Sequence, residues 1–211
     1  MASRRFARTA PTLPTTTGEP AAFGLTARVA AALPTYALPA RMVRRADLLG
    51  PGGLDSHAAL ADLGDRLDLR SAAPRDRPGV LLTLAEARAA ATRDAPGGSA
   101  QDLLLLSRAR PAVHGGTARL RPGQAHDEVA AFEVTTAGRA SNEMARALLV
   151  PRLTRWQRPH RGGDAWRTPL PPWGMRLGRL LRAVRPHADG GLLEWADDGH
   201  RCWVLLVHPP D

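Results

Sequence analysis

Residues 174–207 read GMRLGRLLRAVRPHADGGLLEWADDGHRCWVLLV and contain the clearest structural signals of the chain. On a helical wheel of roughly 100° per residue, four apolar side chains of this stretch lie on one side and four arginines on the other. The apolar set is Leu177, Leu180, Leu181 and Val184, and the basic set is Arg176, Arg179, Arg182 and Arg185. The pattern predicts an amphipathic helix, which Pro186 should end because proline lacks an amide proton.

A β-hairpin is predicted directly after this helix, with strands at residues 190–195 and 201–207. Asp198-Gly199 lies between the strands, and this dipeptide is favoured in two-residue hairpin turns because glycine readily adopts a positive φ. A turn at that point places Trp195 opposite Cys202. Cys202 is the single cysteine of the chain, so the sequence excludes an intrachain disulfide and a cysteine-rich zinc site.

The predicted fold class is α+β, with a helical N-terminal half, a small mixed sheet, and a C-terminal helix followed by a β-hairpin. Thr83 and Glu86 form a capping box, in which each side chain binds the other residue's backbone amide, so a helix is expected to start there. The other elements follow from hydrophobic periodicity and from the positions of Pro and Gly. They are a strand at 25–33, helices at 39–49 and 55–67, strands at 102–106, 117–121 and 128–136, and a helix at 142–150.

Composition divides the chain into three regions. Residues 1–24 are rich in Thr, Pro and Ala and are predicted to form a flexible arm. Residues 25–138 are predicted to be an α/β core region. Residues 139–211 are predicted to be a basic region of helix, loop, helix and hairpin, which is either separate or part of one domain with 25–138.

No long apolar run occurs, so no transmembrane helix is expected. With a single cysteine, a reducing compartment is the simplest expectation, and we predict a cytoplasmic, nucleoid-associated protein.

Positive charge is concentrated in one part of the chain. All 29 residues counted as Lys or Arg are Arg, and the net charge is +9. Residues 139–188 contain eleven Arg and two acids, Glu143 and Asp164, so they carry the whole net charge. A GC-rich genome explains Arg in place of Lys, but it does not set the ratio of bases to acids. A basic segment with interleaved Trp is typical of a polyanion-binding surface.

The sequence therefore predicts a non-enzymatic, arginine-rich nucleic-acid-binding protein. Guanidinium groups would contact phosphates, and Trp166, in a Pro- and Gly-rich segment, would stack on a base. The predicted binding residues are Arg152, Arg155, Arg158, Arg161, Trp166, Arg167, Arg176, Arg179, Arg182 and Arg185. DNA and RNA are both open as ligands. No catalytic residue, metal, other cofactor or membrane contact is predicted.

Two alternatives remain open at this point. The first is a structural or assembly subunit whose basic segment docks on an acidic protein partner. The second is a Mg²⁺-dependent nuclease, because the predicted order of elements between residues 84 and 150 resembles the restriction-endonuclease-like core. That resemblance implies Asp102 and Glu133 as metal ligands, with Glu86 from the preceding helix, around a metal that activates water. The lysine of the superfamily pattern is missing, since the chain contains none.

Overall fold

The structure is a computed structural model, and it describes residues 21–49, 60–71, 83–93, 103–124, 126–133, 146–151 and 171–210. The helices in these ranges are α1 (Ala21–Ala32), α2 (Arg45–Leu49), α3 (Leu84–Arg93) and α4 (Pro172–Ala188), with a 3₁₀ turn at Ala61–Leu63. The strands are β1 (Ala40–Arg44), β2 (Leu67–Arg70), β3 (Leu103–Arg108), β4 (His114–Arg119), β5 (His126–Glu133), β6 (Arg146–Pro151), β7 (Leu192–Asp197) and β8 (Cys202–His208).

The first three strands form a small antiparallel sheet in the order β1-β3-β2. The sequence of β2, Leu67-Asp68-Leu69-Arg70, alternates apolar and charged residues, so the two kinds lie on opposite faces of the strand. The two leucines join a buried cluster with leucines of β3 and alanines of α3. Asp68 and Arg70 consequently face away from α3, towards the second sheet, although both are buried.

The other strands form a larger antiparallel sheet in the order β6-β5-β4-β7-β8. Helices α1 and α4 pack on one face of it, and the apolar face predicted for α4 is confirmed, because all four of its side chains are buried in this core. Phe23 of α1 packs against Leu105 of β3 and Leu206 of β8, so α1 contacts both sheets. The sheets therefore share a common interface beside α1.

A β-bulge in β8 decides which of its side chains face the small sheet. Glu194 pairs with Leu206, whereas Trp195 pairs with Val204, so β8 carries one extra residue at this point. Val204 and Val207 both belong to the helix-side core even though they are three residues apart. The shift leaves Trp203 and His208 on the opposite side, facing the small sheet.

The predicted helical N-terminal half is wrong. The segment predicted as a strand at 25–33 lies in helix α1 up to Ala32, as its alanines favour. The segment predicted as a helix at 39–49 is strand β1 followed by the short helix α2. The helix predicted at 55–67 gives way to a 3₁₀ turn before β2, and residues 50–59 lie outside the described part. Long-range pairing explains β1 and β2, because both hydrogen-bond to β3 along their length.

Two further elements differ from the predictions. Residues 146–151, predicted as the end of a helix, form strand β6, which completes the free edge of β5. Pro151 is tolerated there because it lies at the end of an edge strand. The predicted mixed sheet is also wrong, since every strand pair in the two sheets is antiparallel. Residues 1–20 of the predicted arm lie outside the described residues, and residues 21–24 start α1.

The C-terminal helix and hairpin are present, with different ends. Helix α4 starts at Pro172 and continues past Pro186 to Ala188, because a proline in the last turn removes only one backbone hydrogen bond. The hairpin connection spans residues 198–201, so Trp195 pairs with Val204 rather than with Cys202. The capping box of α3 is confirmed: the Thr83 amide donates to Glu86 at 2.7 Å, and the Glu86 amide donates to Thr83 Oγ1 at 3.2 Å.

None of the helices in the described ranges is both long and apolar enough to cross a membrane.

Candidate functional site between the two sheets

A cleft separates the charged face of the small sheet from strands β7 and β8. The cleft is partly open to solvent, and its free volume of about 30 Å³ has room for a few ligand atoms. Arg70, Arg108 and Arg110 line it from the small sheet and the segment that follows β3. Trp203 and Asp198 line it from the hairpin. Asp68 also lines it, so the cleft brings three guanidinium groups, two carboxylates and an indole together from segments far apart in the chain.

Arg70 is the most deeply buried charged residue of the cleft, with its side chain 1% exposed. Its Nε donates to Oδ2 of Asp68 at 2.6 Å, and its Nη1 donates to Oε2 of Glu194, which belongs to β7 of the other sheet. Burial alone would lower the pKa of Arg70, but the charges of Asp68 and then Glu194 outweigh burial and raise it. Arg70 therefore stays protonated and links the two sheets by an ion pair.

Glu194 has a second partner on β8. Its Oε1 lies 2.8 Å from Nε2 of His208, and both side chains are buried. His208 pairs with Leu192, so it lies on the same face as Glu194. The result is a continuous chain of polar contacts from Asp68 through Arg70 and Glu194 to His208.

The outer part of the cleft is built around Trp203. The guanidinium of Arg110 stacks over its ring at 4.8 Å, and that of Arg201 lies 5.5 Å from the ring centroid. The indole N–H donates to Oδ2 of Asp198 at 2.9 Å. Oδ1 of Asp198 accepts the backbone amides of residues 200 and 201, which fixes the hairpin loop. Arg110 remains about half exposed, so its charge is open to a ligand that enters from solvent.

Replacement of Asp198 by Ala should lower the free energy of unfolding by about 1–3 kcal/mol at neutral pH, since three donors lose their acceptor. Burial raises the pKa of Asp198, but the hydrogen bonds from Trp203, Arg201 and His200 lower it below its ordinary value. The stabilisation is therefore present above the unfolded pKa of about 3.9 and is lost as pH falls through the lower folded value.

Urea unfolding of wild type and Asp198→Ala at pH 7 and near pH 3 measures this effect. The difference between the two proteins should shrink at the lower pH. Asp65→Ala is the control, because Asp65 is exposed. A difference that does not depend on pH would contradict the assignment.

The predicted nucleic-acid-binding arginines of α4 do not form one open surface. Arg176 donates to both carboxylate oxygens of Asp197 at 2.6 and 2.7 Å. Arg185 binds Asp127 and lies 3.2 Å from Asp189. Of the four, Arg179 and Arg182 are exposed. The other predicted binding residues lie outside the described part of the chain: Arg152, Arg155, Arg158, Arg161, Trp166 and Arg167.

The residues implied by the nuclease resemblance are not brought together. The strand after Asp102 is β3 of the small sheet, whereas Glu133 ends β5 of the larger sheet, so the two strands are not neighbours. Asp102 itself and the side chain of Glu133 lie outside the described part. Glu86 is exposed and caps α3. Among the described residues, no group of three or more His, Cys, Asp or Glu could hold a metal ion.

Cys202 is a buried structural thiol, as predicted. Its Sγ lies 3.6 Å from Oδ1 of Asp197. Burial raises the pKa of the Cys202 thiol, and the nearby carboxylate of Asp197 raises it further. The thiol is therefore protonated at neutral pH and unsuited to act as a nucleophile.

The sequence signal for the cleft was present in β2. Its strict alternation over Leu67–Arg70 is typical of a strand with one charged face. The prediction instead placed Leu67 at the end of a helix, because Leu60, Leu63 and Leu67 also have helical spacing. Glu194 carries no comparable signal, since its partner Arg70 is more than a hundred residues away in the chain. His208 is linked to that contact through Glu194.

No family model matches the sequence, and no curated protein matches it. Solved structures do resemble it. D-alanine–D-alanine ligase from Bacillus anthracis aligns with a TM-score of 0.52 and 8% identity over 90% of this chain. D-cycloserine synthetase DcsG aligns with a TM-score of 0.50 and 13% identity, also over 90%. The RimK domain ATP-grasp protein from Sphaerobacter thermophilus aligns with a TM-score of 0.44 and 14% identity over 88%. The chain spans 56%, 62% and 62% of the lengths of these proteins.

These findings overturn the predicted function. The likeness is to ligases and synthetases, and two of the arginines expected to contact phosphates or an acidic partner are neutralised by carboxylates of the chain itself. The predictions of a nucleic-acid-binding protein, of a subunit docking an acidic protein and of a nuclease are therefore wrong. With two antiparallel sheets and an arginine-lined cleft between them, the chain has a fold similar to that of the D-alanine–D-alanine ligase and of the D-cycloserine synthetase.

Proposed function

We propose that this chain is the nucleotide-binding portion of an ATP-dependent ligase, and that the phosphates of ATP bind in the cleft between the two sheets. The observation that carries the proposal is the convergence of Arg70, Arg108 and Arg110 on one cleft in a chain with this fold. The Bacillus anthracis ligase is also known in complex with ATP. An ATP-dependent reaction agrees with the intracellular location predicted from the sequence.

The side chains of the cleft suit a polyphosphate. Guanidinium groups form charge-assisted, often bidentate hydrogen bonds with phosphate oxygens. The chain contains no lysine, so arginine is its source of permanent cationic side chains. Arg108 already donates to the backbone carbonyl oxygens of Leu63 and Asp62 and thereby shapes the cleft wall. Arg110 is the most accessible of the three and is the natural first contact for a phosphate.

The cleft also offers a carboxylate for a divalent cation that accompanies ATP. Mg²⁺ in nucleotide sites is usually held by one or two carboxylates together with the phosphates, so a complete protein cage is not required. Asp68 lines the cleft, and its Oδ1 has no hydrogen-bond partner among the described residues. A bound cation would neutralise phosphate charge, and Asp68 is the residue that we expect to hold it.

The proposal is tested by titrating ATP with Mg²⁺ into the purified chain in a calorimeter. We expect wild type to bind, and Arg110→Ala to bind about tenfold to a hundredfold more weakly, because a hydrogen bond to a charged group contributes roughly 1.5–3 kcal/mol. Arg182→Ala is the matched control: it removes the same charge from the exposed face of α4.

Absence of ATP binding by the wild-type protein would overturn the proposed function. If Arg110→Ala and Arg182→Ala weaken ATP binding equally, the nucleotide does not bind in the cleft. The overall positive charge of the protein, and not a local contact, would then determine the affinity.

A further inference from the structure

The hydrogen bonds of Arg70 leave one of its nitrogens open. Nε is used by Asp68 and Nη1 by Glu194, whereas the buried Nη2 has no hydrogen-bond partner among the described residues. A guanidinium normally binds phosphate through a fork of two parallel N–H groups. Arg70 therefore presents one nitrogen of its Nη1–Nη2 fork, Nη2, to the cleft, although the fork is rigid and already in place.

The charges around Arg70 also oppose an anion. Two carboxylates, Asp68 and Glu194, contact one guanidinium, and all three side chains are almost completely buried. Their formal charges sum to a net negative value at the inner end of the cleft. In this low-dielectric position, a phosphate approaching Arg70 meets the two carboxylates as well as the cation, and the repulsion is screened little by salt.

Asp68 and Glu194 differ in how they are attached. Asp68 lies two residues from Arg70 on the same face of β2, so its contact is local and persists if the sheets separate. Glu194 belongs to β7 of the other sheet. The contact between Arg70 and Glu194 is therefore the one that depends on how the sheets are placed.

We propose that Glu194 is an internal competitor for phosphate at Arg70 and thereby sets the charge selectivity of the cleft; the inference rests on the proposed nucleotide site. With Glu194 in place, phosphate gains the second N–H of Arg70 only by displacing a carboxylate. His208 holds Glu194 from the other side at 2.8 Å and keeps its carboxylate oriented towards Arg70. Removal of the Glu194 charge should free the fork and make the inner cleft electrically neutral.

The test compares wild type with Glu194→Gln, which keeps the size of the side chain but removes its charge. A neutral amide oxygen is a weaker acceptor for a guanidinium than a carboxylate, so phosphate displaces it from Arg70 more easily. Pyrophosphate, ATP and adenosine are titrated calorimetrically into each protein. We expect Glu194→Gln to bind pyrophosphate and ATP roughly tenfold or more tightly than wild type, and adenosine equally. Glu128→Gln is the matched control, because it removes an exposed carboxylate that pairs with Arg121 and lies in β5, two strands away from Glu194.

A second variant covers the case in which Glu194→Gln does not fold. Glu194→Asp keeps the charge but withdraws the carboxylate by one methylene, so it should give a smaller gain in pyrophosphate affinity. Unchanged or weaker anion binding in the folded variants overturns the inference, and so does a gain of equal size in Glu128→Gln. If wild type binds ATP while the Glu194 variants show no gain, the proposed nucleotide site stands and only the competitor role fails.

Discussion

Replacement of Arg70 by Met is expected to lower the free energy of unfolding by about 3–5 kcal/mol, because it leaves two buried carboxylates without their counter-charge. The side chains of Asp68 and Glu194 are 8% and 2% exposed, so water cannot take the place of the guanidinium. Met is long and flexible enough to fill most of the space. Circular dichroism should show a fall in Tm of roughly 10 °C for a chain of this size.

The double variant Arg70→Met with Glu194→Gln separates charge from packing. It should be more stable than Arg70→Met alone, because one of the two unpaired carboxylates is gone. If both proteins lose the same stability, the ion pair between the sheets does not stabilise the fold.

Gly116→Ala is expected to destabilise the larger sheet by about 3 kcal/mol, because there is no space for a Cβ atom. Gly116 lies in β4 opposite Ala131 of β5. A Cβ built on it would lie 1.9 Å from the carbonyl oxygen of Ala130 and 2.9 Å from the carbonyl carbon. Both atoms belong to backbone, so no side-chain rotation can relieve the overlap, and the central pairing of β4 with β5 must shift.

The neighbouring residue provides the control for this prediction. Thr117→Val changes a side chain on the opposite face of β4 without adding a non-hydrogen atom, and it should change the stability by no more than about 0.5 kcal/mol. Guanidinium chloride unfolding of the three proteins measures both effects. An ordinary point change alters the free energy of unfolding by roughly 1 kcal/mol. If Gly116→Ala lowers it by no more than that, the backbones of β4 and β5 are further apart than the structure places them.

Local signals in the sequence predicted the elements that carry their own periodicity. The buried face of α4 and the capping box of α3 follow from residues a few positions apart, whose interactions are settled within one or two helical turns. The segment that became α1 shows the limit of this reasoning. Its alanines favour a helix, yet the apolar spacing is too weak to say which face is buried until β8 and α4 are in place.

Long-range pairing explains the elements that were predicted wrongly from the sequence. Strands β1, β2 and β6 each gain their hydrogen bonds from an edge that another part of the chain provides, so local preference did not reveal them. The same reason hid the candidate site. Net charge drew attention to residues 139–188, but the arginine at the centre of the cleft is Arg70, whose importance depends on Glu194 of the other sheet.

The bulge in β8 also constrains how the chain can vary in length. The extra residue is Leu205, and its deletion would restore regular alternation while His208 stayed opposite Leu192, on the same face as Glu194. Deletion of Val207 instead would turn His208 into the helix-side core. In an alignment of further sequences to this one, a single-residue gap at 205 would therefore mark a protein that lacks the bulge and keeps the partner of Glu194, whereas a gap at 207 would mark one that has lost it.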